Sequence, residues 1–138
     1  MDFHVGLKKG VPDIAQVLDK FGAQATFYVV MGPDTIHRQS RRAGDQRYKK
    51  RYNKMNSLRL AWHFGLPILA SALIGREVGP SGGAMLRRLA EAGHDIGIHG
   101  FDHLDWSDGC FEFDEAETWR QMEHAALNYR RIFPDGPW

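Results

Sequence analysis

The chain has 138 residues, 43% of them hydrophobic and 25% charged, with a net charge of +1. That is length for one domain with one core, and the even charge balance gives no reason to expect nucleic acid as a partner. A single cysteine, Cys110, rules out an intramolecular disulfide, and the longest apolar run, residues 60–75, is broken by His63 and Pro67 and lacks the roughly 18–20 clean residues of a membrane span.

In chain order, residues 11–21 place apolar side chains at 11, 14, 15, 17, 18 and 21, which is helical spacing. Pro12 suits a first turn and Gly22 a stop. Residues 25–31, ATFYVVM, are β-branched and aromatic and run into Gly32-Pro33, so they predict a buried strand. Residues 80–93 predict a second helix with Met85, Leu86, Leu89 and Ala90 on one face and Gly93 as its stop. HDIGI (94–98) predicts a second strand. Residues 113–133 predict the longest helix. Asp114 and Glu117 have capping-box spacing there, and Trp119, Met122, Ala126, Tyr129 and Phe133 form the expected buried stripe. Alternating helices and strands argue for an α/β fold with a parallel sheet. In such folds the chemistry gathers at the C-terminal ends of the strands.

Residues 38–76 interrupt this rhythm. The stretch 38–59 holds nine of the eighteen Lys and Arg residues against one acid, Asp45, and the apolar run follows directly. It reads as a solvated helix plus a core helix, or as an insertion lying on an anionic membrane surface, with Trp62, Phe64, Leu66 and Ile68 entering the interface; nucleic acid is a third reading, disfavoured because the basic stretch is confined to one insertion.

His99 and His103 stand out next. A lone H-x-x-x-H is a weak signal, but His99 closes a predicted strand and a polar, turn-rich loop follows it. One helical turn beginning at His99 would set both rings on one side. Two neutral imidazoles then call for a third ligand, commonly a carboxylate, with positions left open for water and substrate. Asp2 is the candidate, since it should end a neighbouring strand. Such a site suits metal-assisted hydrolysis. The same pair reads more plainly as two histidines with no common ligand. His4 is either near the site or solvated. Asp102 either caps the local turn or hydrogen-bonds an imidazole. Trp106 walls a pocket or belongs to the core. His37, His63, His94 and His124 are expected to be structural, and Cys110 an ordinary buried or loop cysteine.

DFHVGLKKGVP (2–12), ATFYVVMGPD (25–34) and GHDIGIHGFDH (93–103) together resemble the NodB-homology polysaccharide deacetylases, carbohydrate esterase family 4. Within that family they are similar to the ArnD-type branch, the 4-deoxy-4-formamido-L-arabinose-phosphoundecaprenol deformylases. The resemblance covers essentially the whole chain. It implies part of a distorted (β/α) barrel, expected to be incomplete, with residues 1–138 as the N-terminal portion of one domain. It implies Asp2, His99 and His103 as ligands of a divalent metal, with zinc, manganese and cobalt all admissible. Asp102, His4 and Trp106 are the expected supporting or substrate residues. By the resemblance, the general base falls before Met1 and the general acid after Trp138, so no catalytic proton-transfer residue is expected in the chain.

The function so implied is metal-dependent hydrolysis of an N-formyl aminosugar carried on undecaprenyl phosphate, a step of lipid A modification and cationic-peptide resistance. The implied location is peripheral, at the bacterial inner membrane, and otherwise cytoplasmic. A broader polysaccharide or peptidoglycan N-deacetylase is the alternative within enzymes, and a non-catalytic fragment the alternative outside them.

Overall fold

The computed structural model describes His4, residues 6–35, Arg38 and residues 76–136. Asp2, and the expected insertion apart from Arg38 and Arg76, lie outside the described residues. A wide π-helical turn, Gly6–Gly10, leads into helix α1, Val11–Lys20. Pro12 sits in its first turn, where a missing N–H breaks no helical bond. Val11 is fully buried, whereas Ile14, Val17 and Phe21 of the predicted apolar face stay exposed.

Strand β1, Thr26–Val29, and strand β2, Asp95–Ile98, pair in parallel, with Thr26 opposite Asp95 and Val29 opposite Ile98. The pleat alternates as it should: Phe27 and Val29 are buried while Thr26 and Tyr28 face outward. β1 is shorter than the predicted strand because Val30 and Met31 leave the ladder, yet both stay fully buried. Backbone pairing continues past the strand ends: the N–H groups of Met31 and Gly32 donate to the carbonyls of Gly100 and Phe101, each at 3.0 Å.

The predicted helix at 80–93 is two helices, α2, Val78–Ser81, and α3, Gly83–Glu91. α2 starts early because its first amides have partners waiting. Val78 N–H donates to the Gly32 carbonyl at 2.8 Å and Gly79 N–H to the Val30 carbonyl at 3.0 Å. These are groups a helix start otherwise leaves unpaired. Gly93, at φ +90°, turns the chain out of α3 toward β2. Helix α4, His103–Gly109, follows β2, and helix α5, Glu115–Ile132, completes the described elements. The Asp114 carboxylate accepts the Glu117 N–H at 2.7 Å, which is the expected N-terminal cap. The Glu117 carboxylate does not close the box; it pairs with Arg120 and Gln121.

One core joins these pieces. Leu7, Val29, Met31, Val78, Leu86 and Ile132 are among its buried members, and each large aliphatic side chain so buried contributes about 1.5–3 kcal/mol. The face that α5 turns inward differs from the expected one. Trp119 and Met122 are 63% and 52% exposed, while Gln121, Ala125, Asn128, Tyr129 and Ile132 are buried. Tyr129 is common to both stripes. In this orientation Gln121 and Asn128 make long-range hydrogen bonds while Ala125, Tyr129 and Ile132 join the core.

The protein thus mixes helices with a parallel sheet. That sheet has two strands among the described residues, and two strands do not by themselves close a barrel. No helix of the described residues is long and apolar enough to cross a membrane.

A side chain at position 32 would collide with the Phe101 carbonyl oxygen, whereas one at position 10 would meet nothing within 4 Å. Gly32→Ala should therefore lower stability by about 1–3 kcal/mol, and Gly10→Ala should stay within about 0.5 kcal/mol. Urea unfolding midpoints of the two variants check this.

Candidate functional site

The chemistry-bearing residues gather where β1 and β2 end. β2 runs straight into His99, whose backbone N–H donates to the Val29 carbonyl at 2.8 Å and so continues the ladder. Gly100 then adopts φ +83°, a left-handed conformation that suits glycine, and redirects the chain. Asp102 starts α4. Its Oδ1 accepts the N–H of Leu104 at 2.9 Å and of Asp105 at 3.1 Å, so of the two readings offered for it the capping one is present. The helix therefore begins at His103 and not at His99.

The turn still delivers the expected juxtaposition. The rings of His99 and His103 lie 5.1 Å apart between centroids, inclined by 26°. Two imidazoles sharing one cation at a metal–nitrogen distance of about 2.1 Å, near the tetrahedral angle, would have centroids roughly 5 Å apart. The spacing fits. Among the described residues, His, Cys, Asp and Glu form no group of three or more that could hold a metal ion. Asp2, the expected third ligand, lies outside the described residues. Two of the three expected donors are therefore seen together.

Asp102 is 4% exposed, and its charge is compensated from several sides. Its Oδ2 accepts from the Arg38 guanidinium at 2.6 Å, and Arg38 reaches Asp105 Oδ1 with its other terminal nitrogen, also at 2.6 Å. These pairs, with the Asp105 hydrogen bond foremost, raise the Arg38 pKa further. The Asp102 N–H donates to Gln121 Oε1 at 3.3 Å, and the Gln121 amide donates in turn to Glu117 at 2.9 Å. Seven residues along the same face of α5, Asn128 donates to the Met31 carbonyl at 2.8 Å. One helix thus holds both the start of α4 and the exit of β1.

His4 is buried, not solvated. Its backbone N–H donates to Asp34 Oδ2 at 3.2 Å, and Asp34 is itself 2% exposed. Burial, then Lys8 and Arg76, push the His4 pKa down, while Asp34 pulls it up. Trp106 is half-buried, edge-on to Phe113 at 5.5 Å. It lines an open cleft of about 980 Å³ with Tyr28, Gly100, Trp119 and Met122. Of the histidines expected to be structural, His94 is buried against Phe27 and accepts the Ala25 N–H at 3.3 Å. His124 packs edge-on to Phe101. His37 and His63 lie outside the described residues. Cys110 is a half-buried free thiol.

Arg38, Asp34, Gln121 and Asn128 were not singled out in the sequence. For the last two a signal existed: polar residues seven apart, in step with Ala125 and Ile132, mark a face that buries amides.

The sequence model of the family described as "Polysaccharide deacetylase" matches residues 1–135. Among curated proteins, the chain is 31% identical over 105 residues to the "Probable 4-deoxy-4-formamido-L-arabinose-phosphoundecaprenol deformylase ArnD" of Wigglesworthia glossinidia brevipalpis, covering 74% of this chain and 35% of that protein. It is 28% identical over 108 residues to the protein of the same name from Shewanella sediminis (strain HAW-EB3), covering 77% of this chain and 34% of that protein. The chain spans about a third of the length of these relatives. No solved structure matches it significantly.

Replacing Asp102 by alanine removes a cap and should lower stability by about 1–2 kcal/mol. Asp102→Asn should cost less, because an amide oxygen still accepts from Leu104 and Asp105. Denaturant midpoints compared across the three proteins read this directly, and an unchanged midpoint for Asp102→Ala contradicts the capping role.

Proposed function

The chain belongs to the polysaccharide deacetylase family, and from that membership we propose that it carries the metal-binding part of a hydrolase acting on an N-formyl aminosugar linked to undecaprenyl phosphate. The observation that carries the proposal is the His99–His103 pair, its rings 5.1 Å apart at the exit of the parallel ladder. The substrate class rests on the names of the two relatives, which are deformylases of such a lipid-linked sugar. Lipid A modification and an inner-membrane, peripheral location belong to the same reading.

Asp2, His99 and His103 would hold the cation. When bound, a divalent metal supplies Lewis-acid chemistry, polarising a carbonyl and making water more acidic. The remaining tasks fall to the protein. The Val29 carbonyl fixes the backbone of His99, and the Asp102 cap fixes the first turn that bears His103. Each ring is thus carried on backbone with its own hydrogen bonds, which reduces the freedom lost on binding. Trp106 and the cleft it lines, which runs along the outward face of the strands to Gly100, offer an apolar and aromatic wall for the sugar. We assign neither the general base nor the general acid to a residue within 1–138. The basic stretch 38–59 is proposed to meet the anionic membrane surface that carries the substrate.

The test begins with metal. His99→Ala or His103→Ala should abolish zinc or cobalt uptake measured by elemental analysis, and Asp2→Asn should weaken it. Unchanged metal content in the histidine variants rejects the assignment. Turnover is assayed separately, as release of formate from the lipid-linked sugar. Metal uptake without formate release is the result expected of a metal-binding part with no proton-transfer residue assigned within 1–138, and appreciable formate release by this chain contradicts that division of roles.

Neutralising the basic residues between 47 and 54 should weaken association with anionic vesicles, by about 1 kcal/mol for each charge that lies near the surface. Sedimentation with vesicles containing phosphatidylglycerol checks this, and equal binding favours a solvated face.

A further inference from the structure

We propose that Arg38 is a positioning residue for the two histidines: its guanidinium locks the turn at 99–105 and so sets the spacing of His99 and His103. The inference rests on the metal-binding reading of that pair. Arg38 is 64 residues from Asp102 and 67 from Asp105 in sequence, yet it bonds both carboxylates at 2.6 Å, one through each terminal nitrogen. The two aspartates flank His103, one as the cap of α4 and the other in its first turn. The fork therefore closes over the segment that carries this ring.

Asp102 explains why the lock matters. One of its oxygens is committed to the amides of Leu104 and Asp105. The other, on a side chain only 6% exposed, faces Arg38. Without the guanidinium that oxygen would be a buried charge with its strongest partner gone. The carboxylate would then turn toward water, or toward the neighbouring imidazoles, and release the cap. A planar fork that reaches two acceptors at fixed separation is a property of arginine that lysine lacks.

Charge and position predict opposite signs. If Arg38 acted only as a nearby positive charge it would repel a cation, and its removal would tighten metal binding. If it positions the histidines, its removal weakens binding. Lysine at 38 keeps the charge and loses the fork, so it isolates geometry.

The experiment measures zinc dissociation constants for the full chain by competition with a chromophoric chelator, in the wild-type protein, Arg38→Lys, Arg38→Ala and His99→Ala. Circular dichroism monitors folding, and the visible absorption of the cobalt-loaded proteins reports ligand geometry. Arg38→Lys and Arg38→Ala should each weaken zinc binding several-fold, less than the about 10–100-fold lost when a ligand's own hydrogen-bond partner is removed, and alter the cobalt spectrum. If Arg38→Ala fails to fold, Arg38→Lys decides. Zinc affinity of Arg38→Lys equal to wild type, or tighter binding by Arg38→Ala, overturns the proposal while His99→Ala remains impaired. No zinc uptake by the wild-type chain, or undiminished uptake by His99→Ala, overturns the metal reading and this inference with it.

Discussion

The parallel ladder between β1 and β2, prolonged by the bonds from Met31 to Gly100 and from Gly32 to Phe101, is the constraint on which the other features depend. Parallel strands point their carboxyl ends the same way, so whatever follows one must lie beside whatever follows the other. Here that places the Gly-Pro-Asp exit of β1 against the His-Gly-Phe-Asp-His exit of β2. The extra pairing matters because it fixes the loop itself. Phe101 approaches Gly32 so closely that no Cβ fits between them. The turn bearing the histidines is thereby backbone-bonded to a buried segment rather than suspended from the strand that precedes it.

Electrostatics at this exit follow from burial. An aspartate that is 4% exposed would be costly alone. It is retained because two amides and a guanidinium share its charge, and charge-assisted bonds of this kind are the stronger ones. The arginine that completes the set is the first residue of the stretch in which half of the basic side chains are concentrated. One member of an apparently solvent-directed charge run is thus committed inward, to the turn between the two histidines. A run of like charge need not act as a unit.

Local elements were legible in the sequence because their signals are local. The β-branched and aromatic run from Ala25 to Met31, Pro12 in a first turn, Gly93 as a stop and Asp114 as a cap all act within a few residues. The histidine pair was legible too, since a strand ending on one imidazole with another four positions later limits where the second can go. The α5 face was misread because two stripes compete at helical spacing. Apolar periodicity selects Trp119, Met122 and Ala126. Burial selects Gln121, Ala125 and Asn128, because amides that find partners can be buried at little net cost. Arg38 and Asp34 were illegible for a different reason. Their partners are 30 to 67 residues away, and no pattern within a window of sequence encodes such a meeting.

The bond from Asn128 to the Met31 carbonyl spans 97 residues. A carbonyl at the exit of β1 thus waits for a side chain near the far end of the chain. The backbone bonds of α1 close within a few residues, although Val11, Ala15 and Leu18 pack on the common core. The exit of β1 has no such option: closing so long a loop carries an entropic cost that local turns avoid, and contacts of this separation slow folding. The exit of β1, beside which the histidines meet, is thus completed only when the last helix has joined the strands.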